Sequence, residues 1–317
     1  MDLHHELLEI IEKADSICIF GHCLPDGDCY GSQIGLRELI RLNYPKKKVY
    51  AVGTGIPALF EMLGSMDQVD DQTVANSLAI LVDVSCLRRV EDPRVFTAKE
   101  AIKFDHHCIA LDTEPFDGLS WVDEDRIAAC EILIDFALGN GWKFNKTIAN
   151  ALFLGMATDS GRFRFHGTTA HTLELQQLMQ EYGAEPQKLY DIVYAEDDTT
   201  RAYKEWMRQS AKVDGKVTYL VVSRRQYEER GLPYEKASEY VNALADLNDS
   251  KMFALFCEDE YGYYRVELRS NHGYPVQPVA KMFRGGGHRY AAGAELRHDG
   301  PNYLDVIYQL NQVEPDE

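Results

Sequence analysis

The stretch that decides the fold is residues 17–32, ICIFGHCLPDGDCYGS. Four apolar residues, Ile17, Cys18, Ile19 and Phe20, run without interruption into a turn. Within seven positions that turn carries His22, Asp26 and Asp28, with Pro25 and Gly27 bending the chain between them. A short apolar run bounded by turn residues reads as a buried strand. An imidazole and two carboxylates then stand at its carboxyl end, where open α/β sheets hold their ligands.

The same grammar repeats along the chain. Residues 3–11 place Leu3, Leu7, Ile10 and Ile11 on one face of an amphipathic helix. Residues 31–43 predict a helix, 49–52 a strand, and 53–64 a strand-to-helix turn. Gly53, Gly55 and Ala58 in that turn loosely match a dinucleotide fingerprint, but Pro57 interrupts it and no clear acidic partner follows. Residues 78–84, LAILVDV, are continuously apolar up to Asp83, as a parallel strand covered on both faces requires. Strands over 101–104 and 120–122 and helices over 128–138, 148–157 and 168–182 follow. Strands alternating with helices predict a doubly wound, mostly parallel α/β sheet. Residues 185–212 are charged and helical, as suits a connector. A second α/β unit begins with a strand at 217–222 and a helix over 234–247. Strands at 252–257 and 263–268 come next, joined by the turn Asp259-Glu260-Tyr261-Gly262. A helix at 276–283 runs into Arg284-Gly285-Gly286-Gly287-His288, and a helix at 302–311 closes the chain. The expected domains are 1–188 and 213–317, with 189–212 as a helical connector.

Composition narrows the function. A chain of 317 residues, 45% hydrophobic, can bury two cores. Its formal net charge of −18 disfavours a protein that grips long DNA or RNA through its phosphates. A phosphate-ester substrate should therefore be short, and local cations must neutralise it. Seven cysteines stand singly, with no CxxC pair, which points to a reducing cytoplasm. Cys23, Cys29 and Cys108 flank ligand candidates and are expected to pack behind them. No basic n-region opens the chain, and no apolar run is long enough to span a bilayer.

The polar residues at strand ends are His22, Asp26, Asp28, Asp83, Asp105, His106, His107 and Asp159. Any one of these aspartates alone reads as a helix cap. Together they crowd five carboxylates and three imidazoles against buried segments, which is costly unless cations neutralise the charge. A His/Asp set without thiolate pairs suits first-row divalent ions of the Mn²⁺ kind better than structural Zn²⁺. The ligands suffice for two ions sharing one bridging carboxylate, a pair that can activate a hydroxide for in-line attack on phosphorus.

Five separated motifs carry a resemblance to a family. HCLPDGDCYGS, the Asp83 of LVDVS, Asp105-His106-His107, ATDSGRF at 157–163 and GGGHRYAAG at 285–293 closely resemble the DHH phosphoesterases. The GGGH motif resembles the subgroup with a DHHA1-type second domain, and the chain is most similar to the NrnA-like nano-RNase and pAp phosphatase group. The resemblance implies an active site in the cleft between the two domains. It implies one Mn²⁺ on His22 and Asp26, a second on Asp28, His106 and Asp159, and Asp83 bridging them. His107 would face the scissile phosphate, and Asp105 would orient a histidine. Arg269, Ser270, Gly285, Gly286, Gly287 and His288 would bind substrate. Residue by residue, three glycines allow close backbone approach to a phosphate, and Arg269 offers a bidentate fork. The expected activity is Mn²⁺-dependent hydrolysis of oligoribonucleotides of two to five nucleotides to mononucleotides, and of pAp to AMP. Cyclic-dinucleotide phosphodiesterase activity is served by the same motifs, and a non-catalytic nucleotide-binding role is the alternative from another class. Leu24, Cys29 and Tyr30 depart from the common form of the first motif, which leaves the pocket lining open.

Overall fold

The computed structural model describes residues 3–107, 116–165, 167–245, 247, 249–271 and 273–316. Cys108 lies outside the described residues. The chain divides into two compact units, Met1–Ala195 and Glu196–Glu317. No helix among the described residues is long and apolar enough to cross a membrane.

The first unit begins with α1 (Leu3–Lys13), β1 (Ser16–Phe20), α2 (Gly27–Asn43) and β2 (Lys48–Val52). Short helices α3 (Phe60–Leu63) and α4 (Asp71–Ala75) precede β3 (Leu78–Val82), β4 (Glu100–Asp105) and β5 (Leu119–Val122). Then come α5 (Ala129–Gly139), α6 (Lys146–Asp159), α7 (Ala170–Glu181) and α8 (Pro186–Val193). The five strands form one parallel sheet in the order β2-β1-β3-β4-β5. Period-two alternation explains the uninterrupted apolar strands. Ile17, Ile19, Ile80, Val82, Ile102 and Phe104 face a core completed by α1, α2, α5 and α6. Cys18, Phe20, Ala79 and Leu81 face the other side, covered by Val74 of α4 together with Val90 and Val95. The order in which strands are added reverses between β1 and β3, and that switch point is where such sheets place their sites.

α2 starts earlier than the apolar spacing alone predicts. Asp26 is its N-cap and accepts from the Asp28 and Cys29 amides at 3.1 and 3.0 Å, so Gly27 and Asp28 already belong to the first turn. α2 also lies unusually close to α6. A Cβ on Gly31 would stand 2.4 Å from the Ala151 carbonyl oxygen, so only glycine fits there.

The second unit contains α9 (Asp198–Ser210), β6 (Lys212–Asp214), β7 (Val217–Val222), α10 (Arg224–Glu228) and α11 (Tyr234–Ala237). They are followed by β8 (Met252–Glu258), β9 (Tyr264–Ser270), α12 (Gln277–Met282), β10 (Gly286–His288), β11 (Ala291–Leu296) and α13 (Tyr303–Asn311). Its mixed sheet runs β10-β11-β9-β8-β7-β6. One prediction needs correction, and one strand was not foreseen. The helix expected over 234–247 is two pieces, α11 and a 3-10 turn at Tyr240–Leu244. Ser238 between them hydrogen-bonds the Glu235 carbonyl oxygen at 3.0 Å and accepts from Arg265, which competes with a continuous helix. Gly286–His288, to which the sequence pattern assigned no element, is a strand paired with β11.

Candidate metal centre

The carboxyl ends of β1, β3 and β4 converge. Beyond β1, residues 21–23 are pinned to the segment after β3 by Cys23 N–H to Arg89 O at 2.7 Å and Glu91 N–H to Gly21 O at 3.0 Å. This fixes His22, which is buried. Its Nδ1 bonds the Cys23 carbonyl oxygen at 3.0 Å, leaving Nε2 3.3 Å from Asp83 Oδ2 and 3.7 Å from Asp26 Oδ1. Asp83 follows β3 with a φ of 55°, a left-handed conformation that Asp tolerates better than most residues. Its amide still bonds the Phe104 carbonyl oxygen at 3.0 Å, so the strained residue is anchored to β4.

Asp28 is fully buried and held from a distant part of the chain. Its Oδ2 accepts from the Ala129 amide at 2.6 Å and its Oδ1 from the Cys130 amide at 3.0 Å. These are the first amides of α5, whose N-cap Ala128 offers no side-chain cap. Asp28 thus caps α5 in place of a local residue, and the helix N-terminus favours its negative charge. Asp159 is the last residue of α6.

His106 Nε2 is the point where the carboxylates meet. It lies 3.4 Å from Asp83 Oδ1, 3.5 Å from Asp159 Oδ2 and 3.7 Å from Asp28 Oδ2. Its Nδ1 bonds the Arg126 carbonyl oxygen at 3.1 Å, which orients the ring. Asp105 serves the next histidine: His107 Nδ1 lies 2.8 Å from Asp105 Oδ1, and Lys103 Nζ lies 3.1 Å from Asp105 Oδ2. Lys103 and Asp105 are both buried, a chain that sequence reasoning missed. An apolar β4 with one lysine two residues before Asp105, on the same side of the strand, was the available signal.

The electrostatics are those that a bound cation would balance. Burial, reinforced by the Asp83 charge, pushes the Asp28 carboxyl up to about 7. Burial with the Asp26 and Asp28 charges raises Asp159 well above the carboxylate range. Burial works against charging His22 and His106, but the nearby Asp26 and Asp83 carboxylates outweigh it at His22, and Asp83 outweighs it at His106. Asp83 Oδ1 is buried and accepts no hydrogen bond among the described residues. Separations of 3.3–3.7 Å are too long for good hydrogen bonds. They match ligands of one ion, since donors about 2.1 Å from a metal lie roughly 3–4 Å apart. Donor atoms of Asp28, Asp83 and His106 all lie within 4.8 Å of one another, as do those of Asp83, Asp105 and His107. The residues present therefore fit a divalent cation.

Cys29 Sγ accepts from the His22 amide at 3.3 Å, and burial pushes its thiol up to about 12. Tyr30 is buried and donates to the Gly64 carbonyl oxygen at 2.6 Å. Both are packing residues, while Cys23 and Leu24 are exposed. The remaining candidates lie in the second unit. Arg269 Nη1 donates to Leu268 O at 2.9 Å and to Glu267 Oε2 at 3.1 Å. Ser270 is buried and donates to the Lys251 carbonyl oxygen at 3.2 Å. A Cβ on Gly285 or Gly287 would strike backbone of β11, whereas one on Gly286 would meet open space. His288 pairs with Ala291 in the hairpin.

Comparison with known families matches residues 16–156 to the DHH family, N-terminal domain, and residues 214–312 to the DHHA1 domain. The bifunctional oligoribonuclease and PAP phosphatase NrnA of Bacillus subtilis is 30% identical, covering 92% of this chain and 92% of that protein. The protein of the same description from Mycoplasma pneumoniae is 33% identical, over 92% of this chain and 91% of its own length. A solved structure, an exopolyphosphatase-related protein from Bacteroides fragilis, has a TM-score of 0.82 at 20% identity. It covers 98% of this chain and 95% of its own, a likeness of fold.

Proposed function

The chain belongs to the DHH family and is a phosphoric ester hydrolase, and from that premise we propose that it cleaves very short oligoribonucleotides and pAp with two divalent cations, Mn²⁺ by the chemistry of the donors. The observation that carries this reading is the convergence of Asp28, Asp83 and Asp159 on His106 Nε2, with Asp83 Oδ1 buried and without a hydrogen bond among the described residues. His22 and Asp26 would hold one ion, Asp28, His106 and Asp159 the other, and Asp83 would bridge. Such a pair supplies an activated water and neutralises the charge that builds on the phosphoryl oxygens.

The chain's own residues do the rest. Arg126 O and Cys23 O hold the two ligand imidazoles in one tautomer each, with Nε2 turned toward the carboxylates. Asp105, itself paired with Lys103, accepts a hydrogen bond from His107 Nδ1–H, which orients that ring for contact with the scissile phosphate or for moving a proton. Arg269, Ser270, Gly285, Gly286, Gly287 and His288 are proposed to bind substrate from the second unit. Two relatives described as acting on oligoribonucleotides and PAP support the substrate class. The net charge of −18 supports a short substrate over a long polyanion.

The test is a panel of pAp, pApA, a 5′-phosphorylated pentamer, c-di-AMP and long RNA, each with Mn²⁺. The reading expects turnover of pAp and of the two- to five-nucleotide RNAs, falling steeply with length. It fails if pAp and short 5′-phosphorylated RNA remain intact.

A further inference from the structure

Directly after Asp159 the backbone makes a single left-handed turn. Gly161, Arg162 and Phe163 have φ of 57°, 62° and 61°. Two consecutive L-residues in this region are disfavoured and persist only where their surroundings hold them. Here they are held. The Arg162 amide bonds the Ala157 carbonyl oxygen at 2.7 Å, and the Phe163 amide bonds Ser160 Oγ at 2.8 Å. The Arg164 and Phe165 amides both close on the Ser160 carbonyl oxygen at 2.9 Å. The Phe163 ring packs at a tilt against Phe153 of α6, with centroids 5.5 Å apart.

The turn aims one side chain. The Arg162 guanidinium lies 4.8 Å from the centroid of the Tyr194 ring, just past α8. The turn itself stands at the end of α6 that carries Asp159, since the Arg162 amide is bonded back to Ala157 two residues before that ligand. Four arginines of the first unit are neutralised: Arg37 and Arg41 by Asp67, Arg94 by Asp92, and Arg126 by Asp123 and Asp135. Arg162 has no acidic partner among the described residues, in a chain of net charge −18. Arg269, which the motifs also offered as a phosphate fork, is tied to Glu267. A guanidinium braced on an aromatic face loses little freedom on binding and keeps its N–H edge for two parallel bonds to an anion.

We propose that Arg162, fixed by the left-handed turn and braced on Tyr194, binds the non-scissile phosphate of the substrate. This rests on the phosphoesterase reading above and adds a source of selectivity within it. Substrates with a second phosphate, such as pAp or a 5′-phosphorylated dinucleotide, would be preferred over a dinucleotide that has only the phosphate being cleaved.

The experiment compares kcat/KM on pApA and on ApA for the parent, Arg162→Ala, Arg162→Gly, Arg162→Lys and Tyr194→Leu. Glycine suits the left-handed backbone, so Arg162→Gly guards against a folding defect. The preference for pApA should fall about tenfold or more in the Ala and Gly variants, the size of one lost charge-assisted contact, chiefly through KM. Lysine should restore part of it, and Tyr194→Leu should lose a smaller part. An unchanged preference in both Arg162→Ala and Arg162→Gly overturns the proposal. Calorimetry of pAp against adenosine on the Mn²⁺-loaded protein separates the two readings. A parent without turnover whose pAp affinity still drops in Arg162→Gly refutes the reaction and keeps this site. Equal pAp affinity in parent and variant refutes the site.

Discussion

Gly31→Ala tests how closely the metal centre depends on the packing of α2 against α6. The new Cβ would stand 2.4 Å from the Ala151 carbonyl oxygen and 3.2 Å from the Gly155 amide nitrogen. Both are backbone atoms of α6 and cannot rotate away. Ordinary contact begins near 3.4 Å, so the helices must separate by about 1 Å. Overpacking of this kind costs about 1–3 kcal/mol, and the better helix propensity of alanine offsets up to ~1 kcal/mol. The net loss should be about 1–2 kcal/mol, or roughly 2–8 °C in Tm for a unit of this size. The effect on function should be larger. Asp28 lies on the first turn of α2 and Asp159 at the end of α6, so separating the helices pulls the two carboxylates apart. A misplacement of about 1 Å can lower catalysis by about 100-fold. Urea denaturation and kcat/KM on pAp measure both effects. Gly35→Ala is the comparison, because its Cβ meets Leu152 Cδ2 at 2.6 Å, a side-chain atom that can move. It should cost under about 1 kcal/mol. If Gly31→Ala is as stable and active as the parent, or no worse than Gly35→Ala, the packing account is wrong.

The metal-stripped protein should lose stability as pH rises. Asp28, raised to about 7, contributes stability that is present below its unfolded pKa of ~3.9 and lost as pH rises through the folded value. His22 and His106, raised above their usual ~6.5, lose theirs at still higher pH. Tm in chelator should therefore fall from pH 6 to 9, while the stabilisation given by Mn²⁺ grows over the same range; a rising Tm in chelator contradicts this. Lys103→Met leaves the buried Asp105 without its cation and should cost about 3 kcal/mol by denaturation. Adding Asp105→Asn should recover much of that loss, and strictly additive effects of the two changes would show that the pair is not coupled.

The first unit was legible because its strands are buried on both faces and end in ligands. Residues 17–20 and 78–82 carry an apolar period that only a covered parallel sheet satisfies. The cap of α5 was not legible. Asp28 satisfies amides 101 and 102 positions away, and no local signal marks such a bond beyond the missing cap at Ala128. Lys103 was hidden for a similar reason, since its partner Asp105 reads first as part of the ligand motif. In the second unit, the broken helix over 234–247 escaped notice because Ala237, Val241 and Leu244 keep a helical spacing while Ser238 diverts the backbone. The hairpin of β10 and β11 escaped because Gly286 and Gly287 carry no side-chain pattern to read.

The central claim is that the carboxylates and imidazoles gathered around Asp83 hold the cations that hydrolysis requires. The most direct measurement is a Mn²⁺ titration of chelator-stripped protein, following bound metal and pAp hydrolysis together, for the parent and for Asp83→Asn. The account predicts no turnover in chelator, activity returning as two ions bind per chain, and loss of both tight binding and activity in Asp83→Asn. Turnover that persists in chelator, or an Asp83→Asn protein with the parent's metal content and rate, would contradict it.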